Sequence, residues 1–270
     1  MTSTEIRTRA VGGPGRPAGR RPVPADAVRV WRGFRSPSLA LPDFFQRLGT
    51  VFVPATVQMQ IAIGLDGYVP AVPAGLSGKP ATVPDETAVL FWDSQQTYHD
   101  GFDTLAVRTY TLTHAAVYTP ASRADFPVAF TGTVDADQPY HLSNAPADWM
   151  VGTVWHLLAE RPSTTDPEAF LVDVSARLRA RQQAGGFAGA IACAGHDYLA
   201  YWELRDQPPG APPDGQPDAT FHAVGPATGW RYVTAARQTT MEYGLWEPWP
   251  GLDISSGDCL NMQFRRRAES

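Results

Sequence analysis

The chain has few of the residues that bind metals, form disulfide frameworks or act as covalent nucleophiles. Its 270 residues include two cysteines, Cys193 and Cys259, which are too few for a disulfide scaffold and lack the paired spacing of zinc ligands. We expect both to be small buried hydrophobic residues. The patterns HExxH, CxxC and the nucleophile elbow are absent, and the glycine-rich run at residues 12–15 lacks the flanking strand and helix of a phosphate loop. These absences argue against zinc, serine-hydrolase and ATP-dependent chemistry, and no metal site is predicted.

Long apolar runs are also missing. No stretch approaches the roughly 18 consecutive apolar residues that cross a bilayer, and the first residues lack the charged, apolar and small-residue order of a signal peptide. Hydrophobic residues make up 43% of the chain and charged residues 18%, which is the composition of a globular protein that can bury a core. We therefore expect a cytoplasmic protein with no membrane partner.

Lysine is almost absent, since Lys79 is the only one among 22 basic residues. This bias towards arginine is typical of a GC-rich genome and favours a bacterial source. Residues 1–25 contain five arginines and one acid, Glu5, so this segment carries a charge of +4 and the rest of the chain −9. The same segment is rich in glycine and proline, which predicts a disordered basic tail. An acidic body without interleaved basic and aromatic residues argues against a nucleic-acid partner.

One order of segments occurs twice in the chain. An apolar strand with a tryptophan, a proline-led amphipathic segment, a glycine turn and a second tryptophan strand follow one another in both halves. In the first half the segments are Val30-Trp31-Arg32, the run from Pro42, residues 64–67 and Leu90-Phe91-Trp92-Asp93, and in the second half they are Val154-Trp155-His156, the run from Pro167, residues 186–189 and Ala200-Tyr201-Trp202-Glu203.

The hydrophobic periodicity assigns these segments to strands and helices. In the first half it predicts strands at 27–34, 67–72, 87–92 and 108–118, and helices at 43–52 and 94–104. In the second half it predicts strands at 150–158, 188–193, 198–204 and 259–265, and helices at 167–185 and 230–243. Each half is therefore βαββαβ, the ferredoxin-like plan. The predicted fold class is α+β, with two tandem ferredoxin-like repeats at 26–118 and 150–266, an irregular connection at 119–149, and sheets that pack on each other.

This element order and its aromatic strands resemble the dimeric α/β-barrel superfamily, which includes the antibiotic-biosynthesis monooxygenases and related heme-binding and isomerase families. The resemblance covers residues 27 to about 265. It implies that the fused pair forms in one chain the barrel that these families usually build as a dimer. It also implies a ligand pocket on the sheet.

One polar residue interrupts the first strand of each half. Arg32 and His156 occupy matching positions beside Trp31 and Trp155, and each shares the strand phase of a valine two residues earlier. The arginine could hold an anionic substrate group, and the histidine could transfer a proton near neutral pH. The alternative is that both side chains end their strands with the polar head in water.

Further candidates lie on the other elements. His114 lies in the long uncharged segment 110–118, where a buried imidazole needs a partner, and the alternative is a core histidine that has one. His99 and Tyr98 are adjacent on a predicted helix, so one of them can point inward unless both are solvated. Trp92 and Trp202 suit a flat apolar ligand unless they are ordinary core residues. The predicted catalytic residues are His156, His114 and His99, and the predicted substrate-binding residues are Arg32, Trp31, Trp92, Trp155, Trp202 and Tyr98.

Two classes of function agree with these residues. The resemblance implies an enzyme of bacterial specialised metabolism that oxygenates, cyclises or isomerises a hydrophobic, polyketide-like aromatic substrate, with histidine as acid or base and arginine as anchor. No cofactor is expected, although a heme-dependent oxidoreductase or dehydratase with His114, His156 or His222 as axial ligand is an alternative. The other class is a non-catalytic small-molecule binding protein. Either class is compatible with a monomer or a homodimer.

Overall fold

Two six-stranded sheets form the centre of the molecule. The computed structural model describes residues 22–53, 55–56, 63–72, 79–149, 153–205, 231–237, 239–243 and 260–266. Within these ranges the fold is α+β, with four α-helices and two mixed sheets. This architecture is compatible with a ferredoxin-like plan.

The first sheet is built around four antiparallel strands. The elements of this half are β1 Val28–Gly33, α1 Leu41–Arg47, β2 Leu65–Val72, β3 Glu86–Trp92, α2 Gln95–Phe102, α3 Leu105–Thr113 and β4 Arg123–Asp125. The four strands lie in the spatial order β4-β1-β3-β2. The helices are short, and α1 continues as a π-helical turn over Leu48–Phe52 while α3 continues as a 3-10 turn over His114–Ala116.

The second sheet repeats the strand order of the first. The elements of this half are β5 Val128–Ala129, β6 Pro139–His141, β7 Thr153–Glu160, α4 Pro167–Ala184, β8 Gly189–Ala194, β9 Tyr198–Arg205 and β10 Arg231–Arg237. The strands that correspond to β4, β1, β3 and β2 lie in the order β10-β7-β9-β8, and α4, an 18-residue helix, covers this sheet.

Each sheet is completed by two strands that follow the other sheet's four strands in the chain. Strands β5 and β6 follow β4, and β6 pairs with β8 of the second sheet. Strands β11 (Thr239–Tyr243) and β12 (Leu260–Arg266) follow β10, and β12 pairs with β2 of the first sheet. The exchange joins the sheets by backbone hydrogen bonds as well as by packing.

The helix starts agree with the sequence predictions. The Ser94 hydroxyl accepts a hydrogen bond from the Thr97 amide at 3.1 Å, and Asp166 Oδ1 accepts from two amides of the first turn of α4. Both are N-cap contacts that satisfy donors left without a partner inside the helix. The predicted helices that begin near these residues are confirmed, as are the central strands β1, β3 and β9.

Two predicted elements are wrong, one in each half of the chain. The segment predicted as a strand at 108–118 lies in α3 and the following 3-10 turn, because Val107 and Tyr110 are spaced three apart and bury one helical face while Thr104 caps the start. The helix predicted at 230–243 is instead strands β10 and β11. The strand predicted at 259–265 exists as β12, but it pairs with the first sheet.

The two sheets face each other across an apolar layer. On β1, Val28, Val30 and Arg32 are buried in this layer, and Val154, Leu158 and Trp202 belong to the same cluster from the other sheet. Each fully buried side chain of this size contributes about 1.5–3 kcal/mol to folding. Cys193 is also buried in this layer, and burial raises the pKa of its thiol to about 11. The prediction of a small buried hydrophobic residue is confirmed for Cys193, while Cys259 and His222 lie outside the described residues.

Arg32 and His156 both lie between the sheets, and both are fully buried. The Arg32 guanidinium donates to the Val30 carbonyl at 2.7 Å, the Asp125 carboxylate at 2.5 Å and the Asp137 carbonyl at 3.1 Å. The Nε2 atom of His156 is 3.0 Å from the Thr87 hydroxyl of the opposite sheet. Burial lowers the pKa of His156 to about 3. The imidazole is therefore neutral in the folded protein at ordinary pH.

In the part of the chain that the structure describes, no helix combines the length and the apolar character that crossing a bilayer requires. Within the same part, no three side chains of the His, Cys, Asp and Glu types come together as metal ligands.

The buried His156 predicts a loss of stability in mild acid. Between about pH 6.5 and pH 3 the unfolded chain binds a proton that the folded chain does not, so stability falls as the pH decreases through this window. From pH 7 to pH 5 the loss from this residue is about 2 kcal/mol. Urea unfolding at both pH values should show this loss in the parent protein and not in His156→Gln. An equal loss in both proteins would contradict the neutral, buried state.

Candidate functional site

A cavity of about 820 Å³ lies between the first sheet and its three helices. The floor is the face of β1, β2 and β3 that points away from the second sheet, and the walls come from the π-helical turn after α1, from α2 and α3, and from the loop that leads to β4. Its size is typical of small-molecule sites. Most of the lining is apolar or aromatic, and its larger side chains are Trp31, Phe52, Tyr68, Leu90, Tyr98, Phe102, Tyr110, His114 and Tyr118.

The cavity exists because the helices of the first half are short and interrupted. In the second half the corresponding space is filled by α4, whose Phe170, Leu171, Val174 and Leu178 pack on the sheet in one apolar cluster. A single long helix presents a continuous row of such side chains, whereas three short helices leave a gap between them. Within the described residues, the two halves thus share a sheet order and differ in the helices that cover the sheet.

At one end of the cavity floor, a buried carboxylate gathers three hydrogen-bond donors. Glu86 is fully buried, and it accepts from Trp31 Nε1 at 2.9 Å, from the Tyr68 hydroxyl at 2.9 Å and from the Tyr118 hydroxyl. Within the described residues, Glu86 has no arginine or lysine as an ion-pair partner. Burial raises the pKa of Glu86, and the hydrogen bonds from Tyr118, Tyr68 and Trp31 offset this only in part.

His114 lies in the wall of the cavity, at the end of α3. Its ring makes edge-to-face contacts with Trp31, Phe52 and Tyr110, at centroid distances of 5.3, 4.8 and 4.9 Å. Its Nδ1 atom is 3.1 Å from the Thr111 carbonyl, which can only accept, so Nδ1 carries the proton and Nε2 is left with a lone pair. Burial lowers the pKa of His114, which keeps the ring neutral near pH 7. A neutral imidazole with a basic Nε2 can act as a proton acceptor.

Arg29 supplies positive charge to the same cavity. One of its nitrogens donates to the Ala124 carbonyl at 2.9 Å, and its guanidinium carbon lies 4.1 Å from the centre of the Tyr98 ring. Arg123 also lines the cavity, but it pairs with Asp137 at 2.6 Å. Of the described residues that line the cavity, none is a carboxylate. The lining is therefore suited to an anionic or anion-forming ligand.

The structure places three of the predicted site residues, Trp31, Tyr98 and His114, in the lining of this cavity. Trp92 is buried just behind it, with its ring 5.0 Å from Tyr98. His99 is exposed on α2, and its ring contacts Tyr98. The remaining four are elsewhere: Arg32, His156 and Trp202 lie between the sheets, and Trp155 packs on the helix side of the second sheet.

Sequence reasoning missed Arg29, Glu86 and Tyr118. Arg29 shares the period-two phase of Trp31 on β1, so the pattern that led to Arg32 could have indicated Arg29 for the opposite face. Glu86 could have been found as the one acid in a strand that is otherwise uncharged. Tyr118 carried no signal, because its position depends on where the chain turns after α3.

No protein-family model and no curated protein matches the sequence. Solved structures with a similar course of the chain include two that carry the name "putative monooxygenase". The protein from Lactobacillus acidophilus NCFM has 8% identity and a TM-score of 0.36 over 78% of this chain and 92% of its own. The protein from Fusobacterium nucleatum subsp. nucleatum ATCC 25586 has 7% identity and a TM-score of 0.32 over 66% and 75%. An anthrone oxidase-like protein has 12% identity and a TM-score of 0.33 over 80% and 95%.

The contrast between the two halves predicts that replacing a buried leucine by alanine costs more unfolding free energy in the second half than in the first. Leu178 is fully buried under α4, so Leu178→Ala should cost about 2–5 kcal/mol of unfolding free energy. Leu90 is buried but borders the cavity, so Leu90→Ala should cost only about 1–2 kcal/mol, because part of its surface has no packing partner to lose. Urea unfolding measures both values. Equal losses would show that the cavity is packed in solution.

Proposed function

We propose that this protein is an enzyme that binds a hydrophobic aromatic small molecule in the cavity of the first half and removes a proton from it, with His114 as the base. The observation that supports this most directly is the position of His114 in an aromatic-lined cavity, with Nδ1 3.1 Å from the Thr111 carbonyl and with a pKa that burial lowers. Apolar walls bind the rings, and the basic Nε2 receives the proton.

Arg29 stabilises the anion that this step produces. When Nε2 of His114 takes a proton from an acidic C–H or O–H, the electron pair stays on the substrate as an enolate or phenolate. The guanidinium of Arg29, held by the Ala124 carbonyl and the Tyr98 ring, pairs with the negative oxygen, and such a pair is stronger among apolar side chains than in bulk water. The His114 imidazolium is disfavoured by its burial, so it returns the proton readily to the product.

Oxygenation, cyclisation and isomerisation can all begin from this anion. In an oxygenation, molecular oxygen would be the co-substrate that the electron-rich carbon reduces. We propose such a reaction in bacterial specialised metabolism, in the cytoplasm. We also interpret the two sheets as tandem ferredoxin-like repeats that form the equivalent of a dimeric α/β barrel within a monomer, and sedimentation would distinguish this from a homodimer.

Proton exchange tests the base directly. Anthrone, a tricyclic ketone with an acidic methylene group, serves as the probe in deuterated buffer under nitrogen, and NMR follows the exchange of the methylene protons. The parent protein should accelerate the exchange, and His114→Gln should lower the rate at least about 100-fold, because general-base catalysis is worth that much. The matched control is His99→Gln, which removes an exposed histidine next to the cavity and should leave the rate unchanged.

The pH profile gives a second readout. Because the neutral form of His114 is the active one and burial lowers its pKa from the usual 6.5, the rate should fall in acid with a midpoint below pH 6.5. A parent protein that binds anthrone without accelerating the exchange would be a binding protein instead. An unaltered rate in His114→Gln would remove the assignment of the base.

Heme is the alternative cofactor that the sequence resemblance implies, and His114 is the residue in the cavity that would hold it. The hydrogen bond from Nδ1 to the Thr111 carbonyl is the usual outer contact of a ligating histidine, and it leaves Nε2 for the iron. Arg29 would be a partner for a propionate group. A bound heme would supply redox or dehydratase chemistry at this site.

Absorption spectroscopy distinguishes the cofactor-free enzyme from a heme-dependent enzyme. We expect the purified protein to be colourless and to show no Soret band after incubation with hemin, because the proposed deprotonation needs only the side chains of the chain itself. A Soret band in the parent protein that shifts in His114→Gln and not in His99→Gln would replace the cofactor-free proposal with the heme form.

A further inference from the structure

The polar groups of the cavity floor lie at its two ends. In the register of β1 and β3, Arg29 is opposite Leu90, and Gly33 is opposite Glu86. Four residue steps along the strand separate these two pairs, a distance of about 13 Å. Trp31 lies midway along β1, on the cavity face. The floor therefore has a cationic end, an aromatic middle and an end governed by a buried carboxylate.

Glu86 determines the direction of the hydrogen bonds at its end. A carboxylate without a proton can only accept, so the hydroxyl hydrogen of Tyr118 and the indole hydrogen of Trp31 both point at Glu86. Tyr118 lines the cavity, and its hydroxyl hydrogen is already used. Any hydrogen bond between the Tyr118 oxygen and a ligand must take its hydrogen from the ligand.

At the opposite end of the floor the protein offers hydrogen-bond donors instead of an acceptor. The guanidinium of Arg29 has donors and no acceptor, and the structure uses one of its nitrogens for the Ala124 carbonyl. A ligand at this end must therefore present an acceptor, and an anionic oxygen is the strongest one. The two ends thus require different groups on the same molecule.

We propose that the cavity recognises an elongated, flat aromatic substrate by two different ends, with an anionic or ketonic oxygen at Arg29 and a hydroxyl group that donates to the Tyr118 oxygen. Glu86 is the positioning residue of this recognition, because it holds the Tyr118 hydroxyl in the accepting direction. His114 contacts Trp31 in the middle of the floor, so the proton is removed from the central part of the molecule. This inference rests on the proposed function, since it places the substrate beside the same base.

The difference between Glu86 and Glu203, which is also buried in a sheet, supports a role in recognition. Glu203, in the second half, forms a two-point ion pair with Arg181 at 2.8 and 2.9 Å, which neutralises its charge. Glu86 has three neutral donors, and all three of their side chains line the cavity. Burying a carboxylate with only neutral partners costs folding free energy. In this cavity the buried carboxylate fixes the direction of the three donor side chains in the wall.

A matched pair of ligands tests the hydroxyl end. The probes are 6-hydroxy-2-naphthoate and 6-methoxy-2-naphthoate, which share the carboxylate and the rings and differ in whether the distal oxygen carries a hydrogen or a methyl group. Isothermal titration of the full chain should show that the hydroxy compound binds about tenfold more tightly, which is the value of one hydrogen bond.

Three variants locate the origin of this ratio. Tyr118→Phe keeps the ring and should bring the ratio to about one without changing the affinity for the methoxy compound. Glu86→Gln should lower the ratio as well, because an amide also donates and frees the Tyr118 hydroxyl to point into the cavity. Arg29→Met should weaken both ligands by a similar factor and keep the ratio.

The controls separate the possible failures. Tyr198→Phe removes another buried hydroxyl that donates to a carboxylate, at Asp137 and outside the cavity, and it should keep the parent ratio. Circular dichroism establishes that each variant is folded. A ratio near one in the parent protein, or a ratio that Tyr118→Phe leaves unchanged, would overturn this inference. If anthrone exchange still depends on His114 in that case, the proposed function stands and only the two-ended recognition fails.

Discussion

The packing of the two sheets against each other is the constraint on which the other features of this molecule depend. It takes one face of each sheet out of water, and it accounts for the valines, Trp202 and Cys193 in the layer between them. The opposite faces must then be covered by helices. Because the strands alternate, each residue that faces the partner sheet has neighbours that face the helices, and this alternation places Arg32 in the core while Arg29 lines the cavity.

The two halves use the helix side of their sheets differently. In the described part of the second half one continuous helix packs on the sheet, and a buried ion pair between Arg181 and Glu203 joins that helix to the sheet. Burial by itself would raise the pKa of Glu203, but the hydrogen bonds and charge of Arg181 lower it below the ordinary value. In the first half the helices are interrupted, a cavity remains, and Glu86 is satisfied by neutral donors. The two halves therefore share a strand order, and the interrupted helices of the first half leave room for a ligand.

Much of the fold could be predicted from local patterns. Alternating apolar residues indicated the central strands, and Ser94 and Asp166 indicated where helices begin, because these signals act between residues that are close in the chain. The segment after residue 108 was misassigned because Thr, Val and Tyr are favourable in strands, while the burial of Val107 and Tyr110 on one side of a helix outweighs that preference. The pairing of β12 with β2 had no local signal, since it joins segments almost two hundred residues apart.

The candidate site was accessible to the same reasoning only in part. The sequence by itself determined that aromatic residues and a few histidines and arginines interrupt apolar segments, and it indicated Trp31, Tyr98 and His114 as separate candidates, which the structure places in one cavity lining. Only the tertiary structure decided that Arg32 and His156 belong to the core between the sheets and that Arg29, Glu86 and Tyr118 belong to the cavity. The physical reason is that a strand has two faces of similar composition, and which of them meets a sheet and which meets the helices depends on the packing of the whole chain.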